Sequence, residues 1–147
     1  TVDWDQRLIE GNKRRLSAFK NIEHICLDLN KQTLNLKVDA VYSVDVIEHL
    51  EPENEEQFML NSISCLKADG VILTGTPNST ASQYASPQSE AQHINLKSHK
   101  ELRELTAKYF KNVFMFGMND EVLHTGYGPM CHYIWALGVG VKDEYLS

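Results

Sequence analysis

Apolar positions recur along the chain with two periods. From Asp5 to about Phe19 they return every three to four residues, placing Leu8, Ile9, Leu16 and Phe19 on one face. Basic Lys13, Arg14 and Arg15 close that segment, so the spacing predicts a helix. Ile22–Leu27 (IEHICL) reads as a short strand. Asp39–Val44 (DAVYSV) is apolar enough to predict a strand covered on both faces. The helical period returns over Asn54–Lys67, with Phe58, Met59, Ser62, Ile63 and Leu66 inward and a turn at Ala68-Asp69-Gly70. Val71–Gly75 predicts the third strand. Ser98 opens another helix, Glu101 completes a capping box, and Leu102, Leu105, Tyr109 and Phe110 face the core. Asn112–Gly117 and Met130–Gly140 read as the last strands. Alternating strands and helices define an α/β domain with helices on the faces of a sheet.

Two stretches lack either period. Thr76–Lys97 is long for a connection and is rich in Ser, Gln and Asn, so it is expected to serve as a substrate or lid loop. Met118–Pro129 is a shorter irregular stretch. Ligands of open α/β sheets lie beyond the carboxyl ends of the strands. The polar residues fall there: Asp28 after the first strand, Asp45 after the second, and Thr76, Pro77 and Asn78 after the third. Asp3 stands before the first helix, where an earlier strand would end, and an acid there can accept both hydroxyls of a ribose. The alternative role for Asp3 is helix capping, which Asp5 can supply instead. The pattern by itself reaches a nucleoside-binding α/β fold.

Composition narrows the partners. The chain has 147 residues, enough for one domain, and a net charge of −6 that disfavours a broad nucleic-acid or anionic-membrane surface. Cys26, Cys65 and Cys131 form neither a disulfide framework nor a zinc pattern, which points to reduced thiols and a cytoplasmic protein. No apolar run approaches the ~18 residues of a membrane span.

The segments TVDWDQRLIEGNKRRL, ICLDLN, VDAVYSVDVIEHL, LKADGVILTGTPN and HINLKSHKELRELTAKYF follow one another as in class I S-adenosylmethionine-dependent methyltransferases, and the chain resembles that family over nearly its whole length. It looks closest to the small-molecule branch that includes ubiquinone-type O-methyltransferases. The tail MNDEVLHTGYGPMCHYIWAL resembles members associated with surface-glycan pathways. The resemblance implies a Rossmann-like doubly wound sheet, S-adenosylmethionine as cofactor, and methyl transfer to a small polar acceptor, most naturally a hydroxyl. It matches Asp3 to the ribose-binding acid, puts Trp4 beside the adenine, matches Asp28 with the Leu29 backbone to the adenine amino group, and places Ser43 and Val44 beside the methionine part. A homodimer is compatible with this reading. So are two rival readings: an inactive or partner-dependent scaffold, and a metal-dependent RNA 2′-O-methyltransferase. Ser43-Val44-Asp45-Val46 is not the N/D-P-P-Y/F run of amino-group DNA methyltransferases, so DNA is not an expected substrate.

The family's first strand and its glycine-rich loop, expected about twenty residues before Asp3, are absent from the 147 residues. The chain is therefore expected to be the C-terminal two-thirds of a larger domain, with roughly 50–80 residues ahead of it. The missing strand would lie centrally, between the strands at Ile22–Leu27 and Asp39–Val44.

The stretch AVYSVDVIEHLEP carries the candidate chemistry. If the chain turns helical after Val44, then Asp45, Glu48 and His49 share one face of a turn. D-x-x-E-H resembles the E-x-x-E-H metal site of ubiquinone-type and small-RNA O-methyltransferases, the latter with a later histidine for which His93 is the nearest candidate. That likeness makes Asp45, Glu48 and His49 candidates for Mg²⁺. Many methyltransferases of this type carry the same EH pair without a metal, where it caps a helix and lines the methyl-transfer cavity, and no metal is the reading taken here. His49 can instead act as the general base that takes a hydroxyl proton, the role favoured here, with His93 a second catalytic candidate. His99, His124 and His132 read as cap, core or surface residues.

Overall fold

The computed structural model describes residues 1–146. Two parallel strands, β1 (Val2–Asp3) and β2 (Ile25–Cys26), flank the helix α1 (Gln6–Arg15). They form a sheet of their own. The main sheet has five strands: β3 (Val38–Val44), β4 (Leu66–Pro77), β5 (Phe110–Asn119), β6 (Val122–His124) and β7 (Tyr133–Val141), in the order β3-β4-β7-β5-β6. β3 and β4 run parallel, and β7 is antiparallel to both β4 and β5. The open edges of β1 and β3 have no strand beside them among the described residues.

The helices α2 (Glu55–Ser64) and α4 (His99–Tyr109) build the core on one face of the main sheet. Phe58, Met59 and Ile63 meet Ile72, Leu105, Tyr109, Phe110 and Val141 there. Desolvation in this core pushes the Tyr109 phenol up to about 12. Ser98 caps α4 through the expected capping box with Glu101. Asn61 Nδ2, from α2, donates to the Leu29 carbonyl at 2.7 Å and ties the segment after β2 to the core.

Several elements depart from the expected ones. α1 stops at Arg15, short of Phe19, and of its expected apolar face only Ile9 is buried; Leu8 and Phe19 are exposed, the two-residue strands β1 and β2 giving the helix little sheet to cover. The strand expected over Ile22–Leu27 pairs only at Ile25–Cys26. Leu66 and the Ala68-Asp69-Gly70 segment belong to β4 rather than to a helix end and a turn, with an irregularity in register against β3. Thr76–Lys97 is not structureless: a 3₁₀ turn at Ser79–Tyr84 follows the cap Asn78, and α3 (Pro87–Gln92) follows the cap Ser86. The hairpin strand β6 lies inside the stretch read as irregular.

β3 corrects another expectation. Only Ser43 of β3 is buried and Val41 is half-buried, while Tyr42 is 75% exposed, and across the sheet Phe114 is 53% exposed. Leu73 and Leu137 pair in register between them. Among the described residues no helix covers this second face of the sheet, and a large uncovered apolar patch attracts other apolar surfaces. Changing Tyr42 and Phe114 together to serine is expected to reduce binding of a hydrophobic dye while shifting stability by only about ±0.5 kcal/mol per site, as exposed positions do. Dye fluorescence and a thermal melt check both halves of that statement.

The three cysteines are free, Cys26 exposed and Cys65 and Cys131 buried. Among the described residues no helix is long and apolar enough to cross a membrane.

Candidate active site

Two clusters stand at strand ends. The first is acidic. β1 and β2 pair Asp3 with Cys26, so Asp3 and Asp28 end neighbouring parallel strands. Asp5 supplies the cap of α1, accepting from the Arg7 backbone and side chain. Asp3 is thereby free of that duty, and its Oδ1 accepts from the Asp5 N–H at 2.8 Å. Trp4 beside it is 72% exposed. Asp28 accepts from the Asn30 N–H at 3.0 Å and pairs with Lys31 at 3.0 Å. That lysine bond is the main cause holding the Asp28 carboxyl below the usual carboxylate range. The Leu29 carbonyl is already taken by Asn61. Two carboxylates and an exposed indole at adjacent strand ends fit the ribose and adenine of a nucleoside cofactor. Ser43 is buried on the helix-covered face, paired with Thr74, and both hydroxyls lack partners among the described residues. Val44 is half-buried against Gly75.

The second cluster follows β3. The chain leaves the sheet at Asp45, whose φ of +53° is the left-handed region that a non-glycine residue enters at a cost of order 1–3 kcal/mol. Its N–H still reaches the Gly75 carbonyl at 3.1 Å, and its side chain accepts from the Tyr133 hydroxyl at 2.8 Å. Tyr133 is the first residue of β7, and burial pushes its phenol upward. After this reversal Ile47–His49 forms one 3₁₀ turn. The expected helical face of Asp45, Glu48 and His49 therefore does not exist.

Glu48, His49 and His93 converge instead. One ligand atom from each lies within 4.8 Å of the others. The His49 and His93 rings meet edge to face, with centroids 5.1 Å apart. Glu48 is fully buried; its Oε2 accepts from the Thr76 hydroxyl at 2.9 Å, while Oε1 has no partner among the described residues. Burial raises the Glu48 carboxyl above its ordinary value. His49 Nδ1 lies 3.1 Å from the Gln92 carbonyl, which can only accept, so Nδ1 carries a proton and, in the neutral ring, Nε2 presents a lone pair. That lone pair is 3.9 Å from Glu48 Oε1. Two imidazoles and a carboxylate whose second oxygen is buried and unpaired suit a first-row divalent cation such as Mn²⁺ or Zn²⁺ better than Mg²⁺, which prefers oxygen ligands. An Nδ1–H bond to a backbone carbonyl is what commonly fixes the orientation of a metal-binding imidazole.

Sequence reasoning had Glu48, His49 and His93 among its candidates but grouped Asp45 with them. It missed Tyr133, because nothing in the primary pattern gives the direction of β7. It also missed Asn95, which is buried, accepts Lys97 Nζ on its Oδ1 at 2.7 Å, and donates its backbone N–H to the Glu48 carbonyl at 3.0 Å.

No family model and no curated protein matches the chain. Solved structures do. A Thermotoga maritima S-adenosylmethionine-dependent methyltransferase, described as a possible histamine N-methyltransferase, aligns over 95% of this chain and 72% of its own at 16% identity and a TM-score of 0.73. The methyltransferase domain of bacterial CtHen1-C aligns over 95% and 75% at 18% identity and a TM-score of 0.71. The N-methyltransferase NodS of Bradyrhizobium japonicum, in complex with S-adenosyl-L-homocysteine, aligns over 95% and 64% at 13% identity and a TM-score of 0.70. At these identities the likeness establishes the fold: the Rossmann-like α/β fold of class I methyltransferases.

Proposed function

We propose that this chain is part of an S-adenosylmethionine-dependent methyltransferase acting on a hydroxyl of a small polar acceptor. The observation that carries the reading is the pair of acids, Asp3 and Asp28, closing neighbouring parallel strands in a fold of this class. Asp3 would hold the ribose hydroxyls, Trp4 would lie against the adenine, and Asp28 would accept from the adenine amino group. Of the methionine-side candidates, Val44 at the end of β3 is supported over the buried Ser43. The two-stranded sheet and β3 each keep an open edge, compatible with a further strand between the two sheets.

S-Adenosylmethionine supplies an electrophilic methyl on a sulfonium, so the protein's task is to align donor and acceptor and exclude water. Glu48, His49 and His93 would hold a divalent cation at the end of β3. Such a cation acidifies a coordinated hydroxyl. Glu48 is kept in place by Thr76, and His49 by the Gln92 carbonyl. A second reading, in which His49 Nε2 itself takes the hydroxyl proton, is favoured by that nitrogen's free lone pair.

Calorimetric titration with S-adenosylmethionine tests the cofactor assignment. Asp3→Ala is expected to weaken binding by about 1–3 kcal/mol, through loss of charge-assisted bonds. Asp28→Ala is expected to cost less, because it removes one contact to a neutral group and its carboxylate is already shared with Lys31. Equal affinity in wild type and both variants would overturn the assignment.

A further inference from the structure

The cluster of Glu48, His49 and His93 is divided between two parts of the molecule. Glu48 and His49 belong to the turn after β3, which the core holds: Ile47, immediately before them, is fully buried among core side chains. His93 is the residue that ends α3, at the far end of the Ser79–Gln92 segment. The base of that segment is fixed by several bonds. Asn78 pairs with Lys97 as an isolated parallel bridge, the Ser79 N–H donates to the Lys97 carbonyl at 2.9 Å, and Lys97 forms an ion pair with Glu55 at 2.5 Å, both side chains largely buried. Asn95 adds bonds to the Glu48 carbonyl and to Glu55.

The stretch between these anchors is held differently. From Ala81 to Ala91 the hydrogen bonds among the described residues are local, such as Ala85 to Ser82 and Glu90 to Ser86. Most of its side chains are exposed. Its far end touches the body through the Gln92 carbonyl on His49 and the edge of the His93 ring. Beneath it lies a cavity of about 270 Å³ lined by Pro77, Asn78, Tyr84, Leu96, His132 and His93 itself. One wall of that cavity is thus a candidate cation ligand. Glu48, whose Oε1 is buried and unpaired, does not line the cavity but offers a carboxylate oxygen within 4.8 Å of a His93 ring nitrogen.

We infer that the cluster is a clasp: a divalent cation held by Glu48, His49 and His93 ties the Ser79–Gln92 segment to the body and closes it over the cavity at the acceptor end of the sheet. This rests on the cation reading of the cluster given above. The chemistry favours it because the cation would satisfy a buried carboxylate oxygen and fasten the far end of the segment, which otherwise meets the body through one hydrogen bond and an aromatic edge. The near end is held by the Thr80 hydroxyl on the Pro129 carbonyl at 2.8 Å and by the Tyr84 ring beside His132. Ligand binding to the closed form alone stabilises it in proportion to occupancy. Segments with few buried contacts open locally and report that opening in amide exchange.

The test is amide hydrogen exchange of the whole chain with Mn²⁺ as probe. At a concentration 100 times its Kd, Mn²⁺ is expected to slow exchange of the protected amides between Ala81 and His93 by about 100-fold, and excess chelator to reverse it. Amides of α4 are expected not to respond. His93→Ala, a half-exposed position whose loss leaves the core intact, is expected to abolish the slowing; the exposed Lys100→Ala is expected to keep it. Mn²⁺ that binds by calorimetry without slowing this segment would overturn the clasp and leave the cation site standing. So would a His93→Ala chain that keeps the full response. If neither Mn²⁺ nor Zn²⁺ binds, clasp and cation site fall together, while S-adenosylmethionine titration still decides the cofactor assignment independently.

Discussion

His49→Ala is expected to lower turnover by about 10²–10⁴-fold while S-adenosylmethionine affinity is unchanged. The expectation rests on position. His49 follows the end of β3, its Nδ1 is committed to the Gln92 carbonyl, and its Nε2 lone pair points toward Glu48. Whether that lone pair binds a cation or removes a proton is decided by chelation. Under the cation reading a chelator reproduces the loss in wild type, Mn²⁺ or Zn²⁺ restores the rate, and His93→Ala falls in parallel. Asp45→Ala then leaves the response to cation in place, because the left-handed turn sends Asp45 to Tyr133 instead. Under the base reading the wild-type rate survives chelator. An unchanged rate for His49→Ala, in chelator as well as without it, would sink both.

How far this site could be read from the sequence depended on whether local pattern or distant partners fix each part. The capping box at Ser98 and Glu101 is local chemistry, and it formed as expected. The inward positions Phe58, Met59 and Ile63 of α2 follow from helical spacing and are buried. α1 has the same kind of spacing, yet Leu8 and Phe19 are exposed: periodicity states which face could be buried, not whether anything lies against it. β3 failed for the same reason. Its apolar run reads as a two-sided strand, and Tyr42 faces open space. At the site, Glu48 and His49 were visible as chemistry next to a strand end. The reversal at Asp45 was not, because a positive φ at aspartate is set by the Tyr133 hydroxyl 88 positions away and by the bond to Gly75. His93 could be named only by likeness to a known motif. Its approach to His49 depends on the cap at Ser86, on α3 and on the Asn78–Lys97 bridge, none of which the alternation of strands and helices contains.

Glu48→Gln is expected to separate stability from activity. In the absence of cation Glu48 is a buried carboxyl with one oxygen unpaired, and desolvation raises it above its ordinary value of 4.5. A carboxyl raised in the folded state holds its proton more tightly there than in the unfolded chain. Its contribution therefore favours the fold at pH below 4.5 and turns against the fold as pH climbs from there through the raised value. Glutamine keeps the acceptor for Thr76 and removes the charge. Thermal melts in chelator are expected to show the variant more stable than wild type at pH 8 by about 1–3 kcal/mol, the usual cost of an unsatisfied buried polar group. The difference should shrink as pH falls toward 5. Saturating Mn²⁺ or Zn²⁺ should reverse the order, raising the wild-type melting temperature and leaving the variant where it was. Turnover should fall as far as in His49→Ala, because an amide oxygen is a poor substitute for an anionic ligand. A variant less stable than wild type at pH 8 in chelator would mean that the protein alone already satisfies Glu48, and the cluster would then need no cation.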